Sequence, residues 1–193
     1  HAAWSSDDTR IVTASLDGSA KVWDAATGAE LFTLSGHSDP VWHAAWSSDD
    51  TRIVTAGTDG SAKVWDAATG AECFTLSGHN DAVIHATWSS DDTRIVTASR
   101  DGSAKVWDAA TGVELFTLSG HTDAVWHAAW SSEDTGIVTA SDDGSARIFI
   151  ADVDTLIEFA CTRTDRNLTQ EEWLRYMGAD VPYRKTCPNL PIP

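Results

Sequence analysis

The sequence predicts an all-β chain made of four copies of one small antiparallel sheet. Two observations carry this. Tryptophan recurs at a fixed step: Trp23, Trp65 and Trp107 lie 42 residues apart, and Trp4, Trp46, Trp88 and Trp130 keep the same spacing. Gly-His pairs (Gly36-His37, Gly78-His79, Gly120-His121) and Asp-Gly pairs beginning at Asp17, Asp59, Asp101 and Asp143 share that step. A period of about 40 to 45 residues with these marks at its ends is the pattern of a repeated four-stranded sheet. No segment before residue 151 has helical periodicity.

The copy that starts at His37 justifies each element in turn. VWHAAW, from Val41 to Trp46, is the first strand, and Ser47-Ser48-Asp49-Asp50 is a polar turn. RIVTA, from Arg52 to Ala56, is a second strand rich in β-branched residues. Asp59-Gly60 is a tight turn, because glycine accepts a positive φ. SAKVW, from Ser61 to Trp65, alternates with period two and is the third strand. Asp66 to Gly70 is a loop, and Cys73 to Leu76 is the fourth strand. The copies run over about 1–36, 37–78, 79–120 and 121–150, and the last decays after Arg147.

Composition narrows the function. The 193 residues carry 13 Lys+Arg against 29 Asp+Glu, a net charge of −16, which opposes binding to a phosphate backbone. No apolar run approaches the roughly 18 residues of a membrane helix, and no signal-peptide pattern is read. Three cysteines (Cys73, Cys161, Cys187) are too few for a disulfide scaffold and fit a reduced, cytoplasmic setting. Cys73 replaces a leucine of the other copies (Leu31, Leu115) and is read as a small core residue; Cys161 and Cys187 are read as free thiols.

GHSDPVWHAAWSSDDTRIVTAGTDGSAKVWD and its neighbours resemble WD-repeat β-propeller blades, over residues 1 to about 150. The resemblance implies a hydrogen-bonded tetrad of His, Thr, Asp and Trp inside each blade. The matching sets are His37, Thr55, Asp59, Trp65 and His79, Thr97, Asp101, Trp107. The first copy has Thr13, Asp17 and Trp23 without the histidine; the fourth has His121, Thr139 and Asp143, with Phe149 for Trp and Ile150 for Asp. A buried Trp N–H and Thr hydroxyl need partners, and an Asp–His pair supplies them. About four blades, the last lacking a strand of the LFTL type, make an incomplete ring, although propellers close with four to eight blades. The expectation is a piece of a larger bacterial WD-repeat protein, with self-association to complete a ring as the alternative.

From Ala151 the character changes: residues 1–150 hold 22 acids and 8 bases, residues 151–193 hold 7 and 5. Asp154 reads as an N-cap before Leu156, Ile157 and Ala160, and Thr169 to Glu172 reads as a capping box before Trp173, Leu174 and Met177. With a proline-rich end, 151–193 is a short helical tail. It is similar to a tail that follows the propeller in many bacterial WD-repeat proteins, some of which carry a signalling NTPase upstream. It is read as a cap on the last blade or as a docking segment.

Three candidate chemistries stand beside blander readings. His1, His43, His85 and His127 share one first-strand position. In the family topology first strands line the central channel, so these histidines suggest a ring of imidazoles that could hold a metal, or a strand residue repeated with its copy. The His–Asp–Thr sets mimic a hydrolase triad, but a nucleophile is normally unique to one cleft. No catalytic residue, cofactor or metal is therefore assigned. In the family topology the paired acids after the first strands (Asp7-Asp8, Asp49-Asp50, Asp91-Asp92, Glu133-Asp134) and those of the Trp-Asp loops (Asp24, Asp66, Asp108, Glu30, Glu72, Glu114) fall on one acidic rim, read as a solvated face or as a dock for a basic partner.

The near-identical copies differ at few places. Leu16, Thr58, Arg100 and Asp142 precede the turn aspartate; Pro40, Ala82 and Ala124, and Trp42, Ile84 and Trp126, follow Gly-His. In the family topology both sets face the opposite, top rim. Trp and Arg are common interface anchors, so this rim is the candidate site for a protein or peptide; neutral drift is the blander reading. The predicted function is a non-catalytic interaction platform, a scaffold or recognition module. The alternative is the sensor region of a signalling NTPase or protease whose catalytic domain lies upstream of residue 1.

Overall fold

In the computed structural model, which describes residues 1–152, 167, 169 and 187, the repeat becomes a row of antiparallel sheets. The first sheet is β1 (Ala2–Trp4), β2 (Arg10–Ala14), β3 (Ser19–Asp24) and β4 (Glu30–Ser35). The second is β5 (Val41–Trp46), β6 (Arg52–Gly57), β7 (Ser61–Asp66) and β8 (Glu72–Ser77). The third is β9 (Val83–Trp88), β10 (Arg94–Ser99), β11 (Ala104–Asp108) and β12 (Glu114–Leu118). The fourth has three strands, β13 (Val125–Trp130), β14 (Gly136–Ser141) and β15 (Ala146–Ile150). Each sheet is a meander, strands following one another in chain order, and the four do not close into a ring.

Successive side chains point to opposite faces, and the continuous apolar run of strands such as β6 and β10 makes both faces apolar, which neighbouring sheets bury against each other. One core joins Val12, Ala20, Val22 and Leu34 of the first sheet to Ala44, Ile53, Trp65 and Ala67 of the second. Its equivalent joins Val54, Ala62, Val64 and Leu76 to Ala86, Ile95, Trp107 and Ala109. Val54, Val64, Val96 and Val106 are fully buried, whereas their equivalents on the outer face of the fourth sheet, Val138 and Ile148, are 43% and 83% exposed. Burying a valine or isoleucine side chain is worth about 1.5–3 kcal/mol, so the joints are where the repeat gains its stability.

The tight turns follow the sequence chemistry: Gly18, Gly60, Gly102 and Gly144 have φ between 78° and 86° after their aspartates. The second turn was less legible. Asp8, Asp50, Asp92 and Asp134 hold left-handed backbone at φ 54–58°, a conformation that Asp tolerates better than most residues.

The structure divides into two units, His1–Phe149 and Ile150–Pro193. Both predicted tail helices and the proline-rich end lie outside the described residues, apart from isolated positions. Two cysteine expectations are corrected. Cys73 is exposed, because it and Leu31 and Leu115 sit where the fourth strand slips its register against the third. Cys187 is disulfide-bonded, not a free thiol: three cysteines are too few for a scaffold but enough for one bridge. Cys187 also exchanges two hydrogen bonds with the Asn167 side chain, at 2.7 and 3.0 Å.

Candidate functional site

The histidine-containing sets form one network per sheet. His37 Nδ1 lies 2.9 Å from Asp59 Oδ2, His37 Nε2 lies 2.8 Å from Thr55 Oγ1, and Trp65 Nε1–H donates to Thr55 Oγ1 at 2.9 Å. The third sheet repeats this with His79–Asp101 at 2.8 Å, His79–Thr97 at 2.8 Å and Trp107–Thr97 at 2.9 Å. With the imidazole proton on Nδ1 the chain of donors is complete: indole to Thr, Thr hydroxyl to Nε2, Nδ1–H to the carboxylate. The network ties the inter-sheet loop, second strand, turn and third strand together. Burial holds the His37 and His79 pKa values below the ordinary range, against the pull of their aspartates. Burial pushes Asp101 up, but Ser103, the Asn80 amide and His79 outweigh it and bring it down to about 2.

The end sheets carry parts of the set. Trp23 Nε1–H donates to Thr13 Oγ1 at 2.8 Å, and Asp17 accepts from Ser19. His121 pairs with Asp143 at 2.8 Å and Thr139 at 2.7 Å, with Phe149 in the tryptophan position. Thr55, Thr97 and Thr139 are buried. Each of these hydroxyls meets the Nε2 of its histidine, and those of Thr55 and Thr97 also take up an indole N–H.

The acidic turns are built into the joints. Ser6, Ser48 and Ser90 hydroxyls donate to Asp50, Asp92 and Asp134 of the next sheet at 2.6–2.7 Å. Asp7, Asp49 and Asp91 accept from the serines two residues before them, at 2.7 Å. Asp24, Asp66 and Asp108 accept from Thr27, Thr69 and Thr111, and Glu30, Glu72 and Glu114 pair with Lys21, Lys63 and Lys105. Much of the negative charge therefore has a local partner.

His1, His43, His85 and His127 stack as a row with centroid separations of 3.9, 4.1 and 4.0 Å. The rings are tilted to one another by 35–45°, and no group of three ligating side chains converges on one point among the described residues. Nδ1 of His43 and of His85 is buried without a hydrogen-bond partner. Burial, then the neighbouring imidazoles, brings the pKa of both down to about 3.

The copy-specific residues lie at one end of the sheets, where first strands begin and second strands end. Here the structure adds a feature that the sequence did not reveal. Val41 pairs Gly57 and His43 pairs Ala56, so Trp42 is an extra residue in a β-bulge; Ile84 and Trp126 hold the same place in β9 and β13. A bulge re-aims a side chain away from the regular pleat. Trp42 is 43% exposed, Trp126 37% and Leu16 68%. The Arg100 guanidinium lies 5.4 Å from the Trp126 ring centroid, across a joint. Arg100 and Asp142 are exposed, and Pro40, Thr58 and Ile84 are half-buried. Thr58 is held in place by donating backbone N–H and hydroxyl to the Pro40 carbonyl. The only local signal for the bulge was that Trp, Ile and Trp break the apolar alternation.

The family model described as WD domain, G-beta repeat matches residues 1–24, 28–66, 70–108 and 112–149. No curated protein matches the chain.

Proposed function

The chain belongs to the WD-repeat family, a family of generally non-catalytic interaction modules. From that premise we propose that it is a recognition platform for a partner protein, taken as an extended segment along the rim of Leu16, Trp42, Thr58, Ile84, Arg100 and Trp126. The observation that carries this reading is the bulge: the second, third and fourth copies present their variable large apolar residue at an irregular position, with an arginine beside one of them. Rigid sheets hold the row, so little order has to be imposed on binding. Apolar anchors suit Trp42 and Ile84, and a carboxylate suits Arg100 over Trp126. The acidic chain and its locally paired turns favour a protein ligand over nucleic acid.

The test is selection of peptides from a displayed random library on the full chain, followed by measurement with Trp42→Ala/Arg100→Ala/Trp126→Ala. The reading expects selected peptides to lose at least tenfold in affinity, about 1.4 kcal/mol, with an unchanged β-sheet spectrum. Equal affinity for the variant would overturn it.

A further inference from the structure

The first strands of the second, third and fourth sheets, with the turns that follow them, line a cavity of about 440 Å³. That lies within the roughly 300–1,000 Å³ of small-molecule sites. Three of its lining residues, His43, His85 and Trp130, hold a buried nitrogen without a hydrogen-bond partner: Nδ1 of each imidazole and Nε1 of the indole. Buried polar groups are nearly always paired, so three orphans around one cavity call for an explanation.

Two departures from the repeat meet here. Trp46 and Trp88 donate Nε1–H to the carbonyls of Ala3 and Ala45 in the preceding sheet, both at 3.3 Å. The third instance of that pair is Trp130 with Thr87, and there the bond is not made. Thr87 places a hydroxyl where the other copies have Ala3, Ala45 and Ala129. The second departure is Glu133. In the other copies the turn serines Ser5, Ser47 and Ser89 donate to Asp7, Asp49 and Asp91 at 2.7 Å. Glu133 stands in the place of those aspartates. The Ser131 hydroxyl accepts the Gly136 amide at 3.0 Å and has no acceptor for its own proton among the described residues.

The charge at the cavity is already committed. Among the described residues Asp134 is the one carboxylate that lines it, and it takes the Ser90 amide and hydroxyl at 2.8 and 2.6 Å. Burial keeps His43 and His85 neutral. What is left over is uncharged: imidazole nitrogens and the Thr87 and Ser131 hydroxyls, which donate or accept, the Trp130 N–H, which donates, and aromatic walls at Trp88 and Trp130.

We propose that this cavity binds a neutral saccharide. Sugar hydroxyls both donate and accept, as the leftover groups do, and the C–H face of a sugar ring packs on an indole. An anion would meet no uncommitted cation among the described lining residues, and a cation no free carboxylate. The site is separate from the rim, which lies where these strands begin, whereas the cavity reaches the ends of β9 and β13 at Trp88 and Trp130.

The test follows the indole N–H signals of the isotope-labelled full chain by NMR, with Trp130→Phe to assign that of Trp130. Glucose, galactose, N-acetylglucosamine, maltose and cellobiose are titrated singly, beside sodium acetate and sodium phosphate. At least one sugar is expected to shift the Trp130 signal saturably. Thr87→Ala and Glu133→Asp restore the residues of the other copies, so neither puts the fold at risk. Each should weaken sugar binding about fivefold or more, as the loss of one hydrogen bond does. Trp42→Ala/Arg100→Ala/Trp126→Ala should leave it unchanged, so failure here and failure of the rim are read apart; a loss with that variant would place the sugar at the rim and overturn the proposal. It is overturned equally if none of the sugars gives a saturable shift, if acetate or phosphate alone does, or if either cavity variant keeps full affinity.

Discussion

Arg52 of the second sheet lies over the indole of Trp88 in the third, 4.6 Å from the ring centroid, and also donates to the carbonyls of Ala109 and Asp92. One planar cation thus spans a joint by stacking and by two charge-assisted hydrogen bonds. Arg52→Ala should cost about 2–3 kcal/mol in urea unfolding. Arg52→Lys should recover less than half, because an ammonium lacks the planar fork. Full recovery by lysine would mean that charge alone mattered.

Thr97 accepts the Trp107 indole and contacts His79, whereas Thr13 accepts the Trp23 indole with no histidine beside it in its sheet's set. Thr97→Val leaves two buried partners unsatisfied and should cost about 3 kcal/mol. Thr13→Val should cost about 1 kcal/mol, since its sheet is half-exposed and one partner fewer is involved. Equal costs, measured by denaturant midpoint and slope, would show that the networks do not act as units.

Trp42 and Trp46 stand four residues apart on β5 and should behave oppositely. Trp46 lies under Arg10 and donates to the Ala3 carbonyl at 3.3 Å, so Trp46→Ala should cost about 3 kcal/mol or more. Trp42 projects from a bulge, and Trp42→Ala should change stability by less than about 0.5 kcal/mol. A large loss at Trp42 would place it in the fold and weaken its assignment to the rim.

These contrasts mark where sequence reading reaches its limit. The strands were legible because alternation and β-branching act locally, and repetition averages out noise: Arg52–Gly57 is a strand within one residue of the expected RIVTA segment. Arg10 stacking on Trp46 was not legible, since the pair is separated by 36 positions and joins two sheets. The acids of the Ser-Ser-Asp-Asp turns were read as an acidic rim. What that reading leaves out is that Asp50 turns left-handed and takes two backbone amides and a hydroxyl from the preceding sheet. The bulge at Trp42 depends on pairing register, which strand propensity does not specify. Cys73 was misplaced for the same reason.

The imidazole row makes a prediction about acid. His43 and His85 titrate near 3 in the fold, from burial first and then from the adjoining rings, against an ordinary value of 6.5. A folded-state pKa below the unfolded one means that the unfolded chain binds more protons in between. The stability held by the neutral row is therefore complete above about pH 6.5 and is lost progressively as pH falls toward 3. His37 and His79 shift in the same direction and add to the slope. Asp101, held at about 2, adds its own loss only below its ordinary 3.8. Unfolding free energy should thus be flat from pH 8 to 7 and fall below 6.5, by up to about 1.4 kcal/mol per pH unit for each histidine held neutral. Replacing His43 and His85 with phenylalanine keeps flat rings in the stack and removes the proton site. Urea midpoints of that double variant should fall less steeply between pH 6 and 4 than those of the parent. Identical slopes would mean that acid acts elsewhere, with the tetrad histidines as the next groups to replace.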